Sequence, residues 1–286
     1  MSAVRIAALG DIHSNAEALR ACLDEIDAFH PDALLFTGDY VSDCACPQDT
    51  IALLRGAAMR YDCFFIRGNR EQYMLDYQLG KRAWRRGTNG GSLLYTYERL
   101  TADNLKAFSK MPAVCRLAYE DLPTILACHG APDDLRGWLM DMPEQADQWL
   151  QREHAGIVVC AHTHRPGIMQ IPHGIAVNTG TVGLPVDHPG YAAMAVLTGE
   201  NGSWNAEILR VPFDAEKTIA AFDRDGFYDE AGFWPRIIAR QLRFGGEQSI
   251  AMLEKAGALW NSDEPIPESI WQQAFDIVTG DERPHL

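Results

Sequence analysis

The chain has 286 residues, 47% of them hydrophobic and 22% charged, which excludes a disordered, collagen-like or coiled-coil protein and leaves room for one large core with an appended lobe. With 25 lysines and arginines against 39 aspartates and glutamates, the net charge is −14. Such a surface repels a phosphate backbone and argues against a nucleic-acid polymer as partner, so a site for a small anion must carry its own positive charge.

In chain order, residues 6–9 read as a strand, after which Leu19, Cys22, Leu23 and Ile26 recur at helical spacing. Residues 33–36 form a second strand, a helix is expected around residues 50–54, and residues 63–66 form a third strand. Strands alternating with helices predict a layered α/β (α+β) architecture. Beyond Arg70 the pattern turns helical to about residue 109, with a break at Gly87-Thr88-Asn89-Gly90-Gly91. Strand signals resume at residues 124–128 and 157–160. Hairpins are expected from residues 167–171 with 174–177, and from 192–197 with 204–209 across Gly199-Glu200-Asn201-Gly202. From Pro212 the composition favours a helical lobe carrying Phe213, Phe222, Phe227, Tyr228, Phe233 and Trp234, and residues 281–286 are expected to fray.

No stretch reaches the roughly 18 uncharged apolar residues of a membrane-spanning helix, so no membrane partner is expected. The opening Met1-Ser2-Ala3-Val4-Arg5-Ile6 runs straight into a strand with Asp11 close behind, unlike a secretion signal. Seven cysteines make an odd set without disulfide spacing, and several sit in apolar runs, so a reducing cytoplasm is expected. Cys44-Ala45-Cys46 has a chelating spacing, but no second thiol pair accompanies it.

Nearly every expected strand ends in residues that bind metals. These are Gly10-Asp11-Ile12-His13, Gly38-Asp39, Gly68-Asn69-Arg70-Glu71, Cys128-His129-Gly130 and Ala161-His162-Thr163-His164, with Asn178-Thr179-Gly180 after a hairpin strand. The carboxyl ends of strands border the ligand crevice in open α/β sheets. Singly, each block is ordinary: Gly-Asp and Gly-Asn are common turns, and a strand-end histidine is more often structural than a ligand. His-x-His is stronger, because alternate residues face the same way. The ordered set supplies two carboxylates, one carboxamide and four imidazoles, which suits two borderline divalent ions among Mn, Fe, Zn, Co and Ni.

This order of motifs resembles the calcineurin-like metallophosphoesterase family across residues 6–210, with Ala161 in place of the glycine of the last motif. The resemblance implies a four-layer β-sandwich flanked by helices, with a helical insertion at about residues 71–110 and a C-terminal helical lobe at 212–286 beside a core of residues 1–211. It implies one ion held by Asp11, His13, Asp39 and His164 and a second held by Asp39, Asn69, His129 and His162, with Asp39 bridging. Asn178-Thr179-Gly180-Thr181-Val182-Gly183-Leu184-Pro185 is similar to a run in the small bacterial phosphodiesterase branch, which includes asymmetrical diadenosine-tetraphosphate hydrolases. The implied activity is hydrolysis of phosphodiester or nucleotide phosphoanhydride bonds in a small phosphorylated substrate, a nucleotide being one class, by attack of a metal-bridging hydroxide. Asp39, Asn69, Arg70 and His129 would serve catalysis, and Arg70 and His13 would face the substrate.

Elementary electrostatics agrees with that expectation. Two divalent ions less the charges of Asp11 and Asp39 leave about +2 to attract a phosphate ester, and ions about 3.5–4 Å apart can activate a shared water. Arg70 departs from the family pattern, in which many relatives carry histidine. An arginine keeps its proton, so it cannot be a general acid, but it can clamp phosphoryl oxygens. Leaving groups that need no proton are therefore expected to be preferred; the plainer alternative has Arg70 facing solvent or paired with Glu71. Lys81-Arg82-Ala83-Trp84-Arg85-Arg86 and the trio Arg236, Arg240 and Arg243 are read first as solvated helix faces, and second as a lid gripping polyphosphate while Tyr228, Phe233 or Trp234 stacks on a base. A protein phosphatase would carry Asp-Arg-Gly where this chain has Ser42-Asp43-Cys44, and a non-catalytic scaffold has no need of seven intact ligands. Neither the oligomeric state nor the native substrate follows from the sequence.

Overall fold

The strand at residues 4–9 is apolar at nearly every position because both of its faces are covered, as buried strands between layers require. The structure, a computed structural model, describes residues 3–262 and 264–280; residues 281–286, expected to fray, and Met1 and Ser2 lie outside the described residues.

The elements run β1 (Val4–Leu9), α1 (Ala16–Phe29), β2 (Ala33–Phe36), α2 (Pro47–Ala58), β3 (Asp62–Phe65), α3 (Asn69–Gln78), α4 (Gly91–Arg99), α5 (Ala102–Lys110), β4 (Val114–Leu117), β5 (Thr124–Cys128), α6 (Pro143–Glu153), β6 (Ala155–Cys160), β7 (Gly167–Ile171), β8 (Gly174–Asn178), β9 (Tyr191–Glu200) and β10 (Ser203–Pro212). The helices α7 (Ala215–Arg224), α8 (Phe227–Ala231), α9 (Trp234–Phe244), α10 (Gln248–Leu259) and α11 (Glu268–Thr279) follow. No described helix is long and apolar enough to cross a membrane.

The strands form two five-stranded sheets, ordered β10-β9-β1-β2-β3 and β4-β5-β6-β8-β7. Strands β1, β2 and β3 are parallel in one sheet, and β5, β6 and β8 are parallel in the other. Alternation along β1 explains the layering. Ile6 and Ala8 join Leu35, Ile125, Ala127, Ile157 and Val159 between the sheets, whereas Ala7 and Leu9 pack outward with Leu19, Cys22 and Ile26 of α1. On the far side, Leu126, Val158 and Ala176 pack against Ala146 and Leu150 of α6. The result is the expected sandwich of two sheets flanked by helices, each fully buried aliphatic side chain contributing about 1.5–3 kcal/mol.

Two elements had no counterpart in the sequence reading. Strand β4 is a four-residue edge with exposed Arg116 in it, too short for a period to register, and α6 buries only Ala146, Asp147 and Leu150. The β9–β10 hairpin is also tighter than expected. Its strands reach Glu200 and Ser203, leaving a two-residue turn in which Asn201 (φ 51°) and Gly202 (φ 77°) take the left-handed conformation that matches strand twist. The C-terminal helices build a further apolar cluster from Phe222, Phe227, Trp234, Ile238, Trp271 and Phe275, which also takes in Cys44, Tyr95 and Leu184.

Candidate metal centre

The metal-binding residue types follow the ends of the parallel strands: Asp11 and His13 after β1, Asp39 after β2, Asn69 at the start of α3 just beyond β3, His129 after β5, and His162 and His164 after β6. Twelve described non-glycine residues have positive φ, and eight lie in these loops: Asp11, His13, Ser14, Asp39, Ser42, Asp43, His162 and His164. Such backbone costs about 1–3 kcal/mol per residue and persists where surrounding structure imposes it. Two glycines admit the loops to one another. Gly38 sits at φ 98°, and a Cβ on Gly68 would lie 2.2 Å from Asp39 Oδ1.

All seven residues meet. Asp11, His13 and His164 each offer one ligand atom within 4.8 Å of the others, and so do Asp39, His129 and His162. Asn69 Oδ1 lies 3.0 Å from His129 Nε2. Asp39 faces both groups, with Oδ1 3.4 Å from His129 Nε2 and Oδ2 3.9 Å from His13 Nε2. Asp11 Oδ1 lies 3.6, 3.4 and 4.0 Å from the Nε2 atoms of His13, His164 and His129. Its other oxygen accepts the backbone N–H of His162 at 2.7 Å.

The donor set demands positive charge at its centre. His129 Nδ1 is 2.8 Å from the Thr37 carbonyl, a distance that places the ring hydrogen on Nδ1. The Nε2 lone pair then faces Asn69 Oδ1 and Asp39 Oδ1, an assembly of acceptors that repel unless a cation or proton lies among them. His13 repeats the pattern. Its Nδ1 lies 3.0 Å from Asp43 Oδ2, an ion-pair approach without hydrogen-bond alignment in which the carboxylate charge favours a proton on that nitrogen, and its Nε2 lies 3.0 Å from His164 Nε2. Asp11 Oδ1 is buried without a hydrogen-bond donor among the described residues. Burial alone would lower His13 and His129, yet the carboxylates of Asp11 and Asp43, and of Asp39, override it and raise both to about 9. Burial and the neighbouring His129 instead push His162 down to about 4. These groups fit divalent cations, which take the place of the protons.

The contacts of several supporting residues carried no sequence signal. Glu71 does not pair with Arg70; it accepts the backbone N–H groups of Gly68, Asp39 and Tyr40 at 2.8–2.9 Å. Arg70 instead reaches Asp43 Oδ2 at 3.1 Å and donates its backbone N–H to Asp39 Oδ1 at 2.7 Å, with 23% of its side chain exposed. Burial would raise Asp43, but the guanidinium of Arg70 and then His13 hold it well below the usual carboxylate range. The run from Asn178 buttresses the strand-end loops: Asn178 Nδ2 donates to Ala161 O at 2.7 Å, and the Thr181 hydroxyl and Gly183 N–H donate to Asp11 O at 2.8 and 2.9 Å.

Residues 81–86 are not the expected helix face: they lie in the loop between α3 and α4, and several of the basic side chains have partners away from the metal-binding residues. Arg82 lies over the Tyr73 ring, Arg86 pairs with Glu98 and Glu230, and Arg243 with Glu216. Arg236 and Arg240 lie near the Phe233 and Phe244 rings. Trp234 is buried with its indole bonded to Asp43, which removes it as a base-stacking surface. Neither potential metal group among the described residues includes a cysteine; Cys44 is buried in the C-terminal apolar cluster.

Residues 4–166 match the calcineurin-like phosphoesterase family. An uncharacterized protein of Methanocaldococcus jannaschii is 25% identical over 229 residues, covering 74% of this chain and 89% of the relative. Two crystal structures share the fold. A hypothetical protein from Pyrococcus horikoshii OT3 aligns with a TM-score of 0.71 and 18% identity, over 85% of this chain and 99% of that one. A metallophosphoesterase from Sphaerobacter thermophilus aligns with a TM-score of 0.63 and 20% identity, over 84% and 98%. The chain belongs to the calcineurin-like phosphoesterase family.

Proposed function

We propose that the protein is a dinuclear metal-dependent hydrolase of phosphodiester or nucleotide phosphoanhydride bonds. The observation that carries this reading is the ring of potential ligand atoms: His129 Nε2, Asn69 Oδ1 and Asp39 Oδ1 on one side, His13 Nε2, His164 Nε2 and Asp11 Oδ1 on the other. One divalent ion would be held by Asp11, His13, Asp39 and His164, and another by Asp39, Asn69, His129 and His162. When bound, such ions neutralise phosphoryl charge and bring the pKa of water into the neutral range.

The protein's own groups supply orientation. The Thr37 carbonyl holds the proton of His129 at Nδ1, so that ring presents a fixed lone pair, and the charge of Asp43, 3.0 Å from His13 Nδ1, favours the same tautomer in His13. Arg70 is buried enough to be held by Asp43 and exposed enough to meet a ligand. Its guanidinium would bind phosphoryl oxygens in a forked pair of hydrogen bonds. Because it keeps its proton, departure of the leaving group must not depend on protonation by residue 70.

The test is to deplete the protein of metal, reload it with Mn²⁺, and assay bis(4-nitrophenyl) phosphate, phosphomonoesters and dinucleoside polyphosphates, with Asp39→Asn as control. Hydrolysis that requires metal and disappears in Asp39→Asn supports the reading. Protein that neither binds the ion nor hydrolyses any of these compounds would overturn it.

A further inference from the structure

Asp43 is 1% exposed, and its two carboxylate oxygens have separate partners. Oδ1 accepts the indole Nε1–H of Trp234 at 2.6 Å, a buried hydrogen bond that joins the strand-end loops to α9 across 191 positions of the chain. Oδ2 lies 3.0 Å from His13 Nδ1 and 3.1 Å from Arg70 Nη2, and accepts the Ser42 hydroxyl at 2.7 Å. Trp234 is 5% exposed and packs in the C-terminal apolar cluster, which also encloses Cys44 and Ala45 directly after Asp43. The carboxylate is therefore held from one side by a helix of the C-terminal segment and touches a candidate ligand from the other.

We propose that Trp234 and Asp43 are positioning residues for His13, through which the C-terminal helices set the affinity of the cation group formed by Asp11, His13 and His164. The proposal rests on the metal-binding reading above. The indole fixes the carboxylate, the carboxylate charge 3.0 Å from His13 Nδ1 favours the ring proton on that nitrogen, and Nε2 stays turned toward Asp11 and His164. Without the indole donor, Asp43 Oδ1 is left buried and unpaired, so the carboxylate must turn toward another donor or admit water. Either change loosens the carboxylate, still held at Oδ2 by Ser42 and Arg70, and alters its approach to His13. Partners of this kind typically alter metal affinity about 10–100-fold.

Trp271 is the control. It is 3% exposed and belongs to the same cluster, but its indole nitrogen has no acceptor among the described residues. Phenylalanine at either position removes similar volume, and only at 234 does it remove a bond to the site.

The 286-residue chain, metal-depleted, is titrated with Mn²⁺ and free ion followed by electron paramagnetic resonance, for wild type, Trp234→Phe and Trp271→Phe. The expected result is two binding events in wild type, one of them weakened about 10-fold or more in Trp234→Phe, with both preserved in Trp271→Phe. Asp43→Asn keeps the side chain's shape and must weaken the same event about 10-fold or more, which serves if Trp234→Phe does not fold. Wild-type affinity in these Trp234 and Asp43 variants, or an equal loss in Trp271→Phe, would overturn the proposal. A wild-type protein that binds no Mn²⁺ overturns the metal-dependent reading itself, and this proposal with it.

Discussion

Glu71 Oε2 accepts the backbone N–H of Asp39 at 2.9 Å, so a buried carboxylate on α3 holds the loop that carries the central aspartate. The same side chain accepts Gly68 N–H at 2.9 Å and Tyr40 N–H at 2.8 Å, joining the loops after β2 and β3. Glu71→Ala leaves three buried donors without an acceptor, and hydrogen bonds to a charged group contribute about 1.5–3 kcal/mol each. A destabilisation of at least about 3 kcal/mol is expected. Burial and Asp39 push Glu71 up to about 7, so urea unfolding at pH 8 measures the ionised form. A loss below about 1 kcal/mol would mean that water replaces the carboxylate.

Stability of the metal-free protein should fall as pH rises between about 6.5 and 9. His13 and His129 are raised to about 9 from the ordinary 6.5. A group whose folded pKa lies above its unfolded value stabilises fully below the unfolded value and ceases to do so as pH passes the folded one. Glu71, raised to about 7, acts in the same direction over the lower part of this window. Added Mn²⁺ should reverse the trend, since cation and protons compete for the same lone pairs. Melting temperatures in chelator and in excess Mn²⁺ at pH 6.5, 7.5, 8.5 and 9.5 test this; parallel curves would refute it.

Arg70 should make the enzyme selective for its leaving group. Its side chain is tethered to Asp43 at 3.1 Å and cannot deliver a proton. Rates across diesters of graded leaving-group pKa should therefore drop steeply from aryl to alkyl esters. Arg70→Ala is expected to lower kcat about 10²–10³-fold, the usual effect of removing one charge-stabilising donor. Equal efficiency on alkyl and aryl esters in the wild type would count against the assignment.

Gly68→Ala tests whether close approach of two loops matters. Gly68 has an extended φ of −89°, which any residue adopts, so backbone strain is not at issue. Its added Cβ would meet Asp39 Oδ1 at 2.2 Å and Asp39 N at 2.3 Å, and backbone cannot yield as a flexible side chain does. Mn²⁺ affinity should fall about 10-fold or more in Gly68→Ala. Binding unchanged from wild type would show that the loops separate at little cost.

Much of the architecture was legible in the chain itself. The runs at Ile6, Leu34 and Val158 are apolar on both faces, which marks strands covered by layers on either side, and the residues after them were expected to share one rim. Short Gly-Asp and Gly-Asn blocks marked the turns. Strand β4 and helix α6 escaped because one is too short for a period and the other buries too few residues. The arginine groups near 81–86 and 236–243 were ambiguous for a different reason: their partners Tyr73, Glu98, Glu216 and Glu230 are not sequence neighbours.

Sequence alone settled the layering and the identity of the strand-end residues, because hydrophobic period and turn chemistry are properties of neighbours along the chain. Tertiary structure decided what each polar group does. Asp43 holds His13, Arg70 and Trp234 at once, and Glu71 caps backbone instead of pairing with Arg70 beside it. Charge and hydrogen bonding act through space over a few ångströms, so a carboxylate acquires its role only when folding brings its donors within reach.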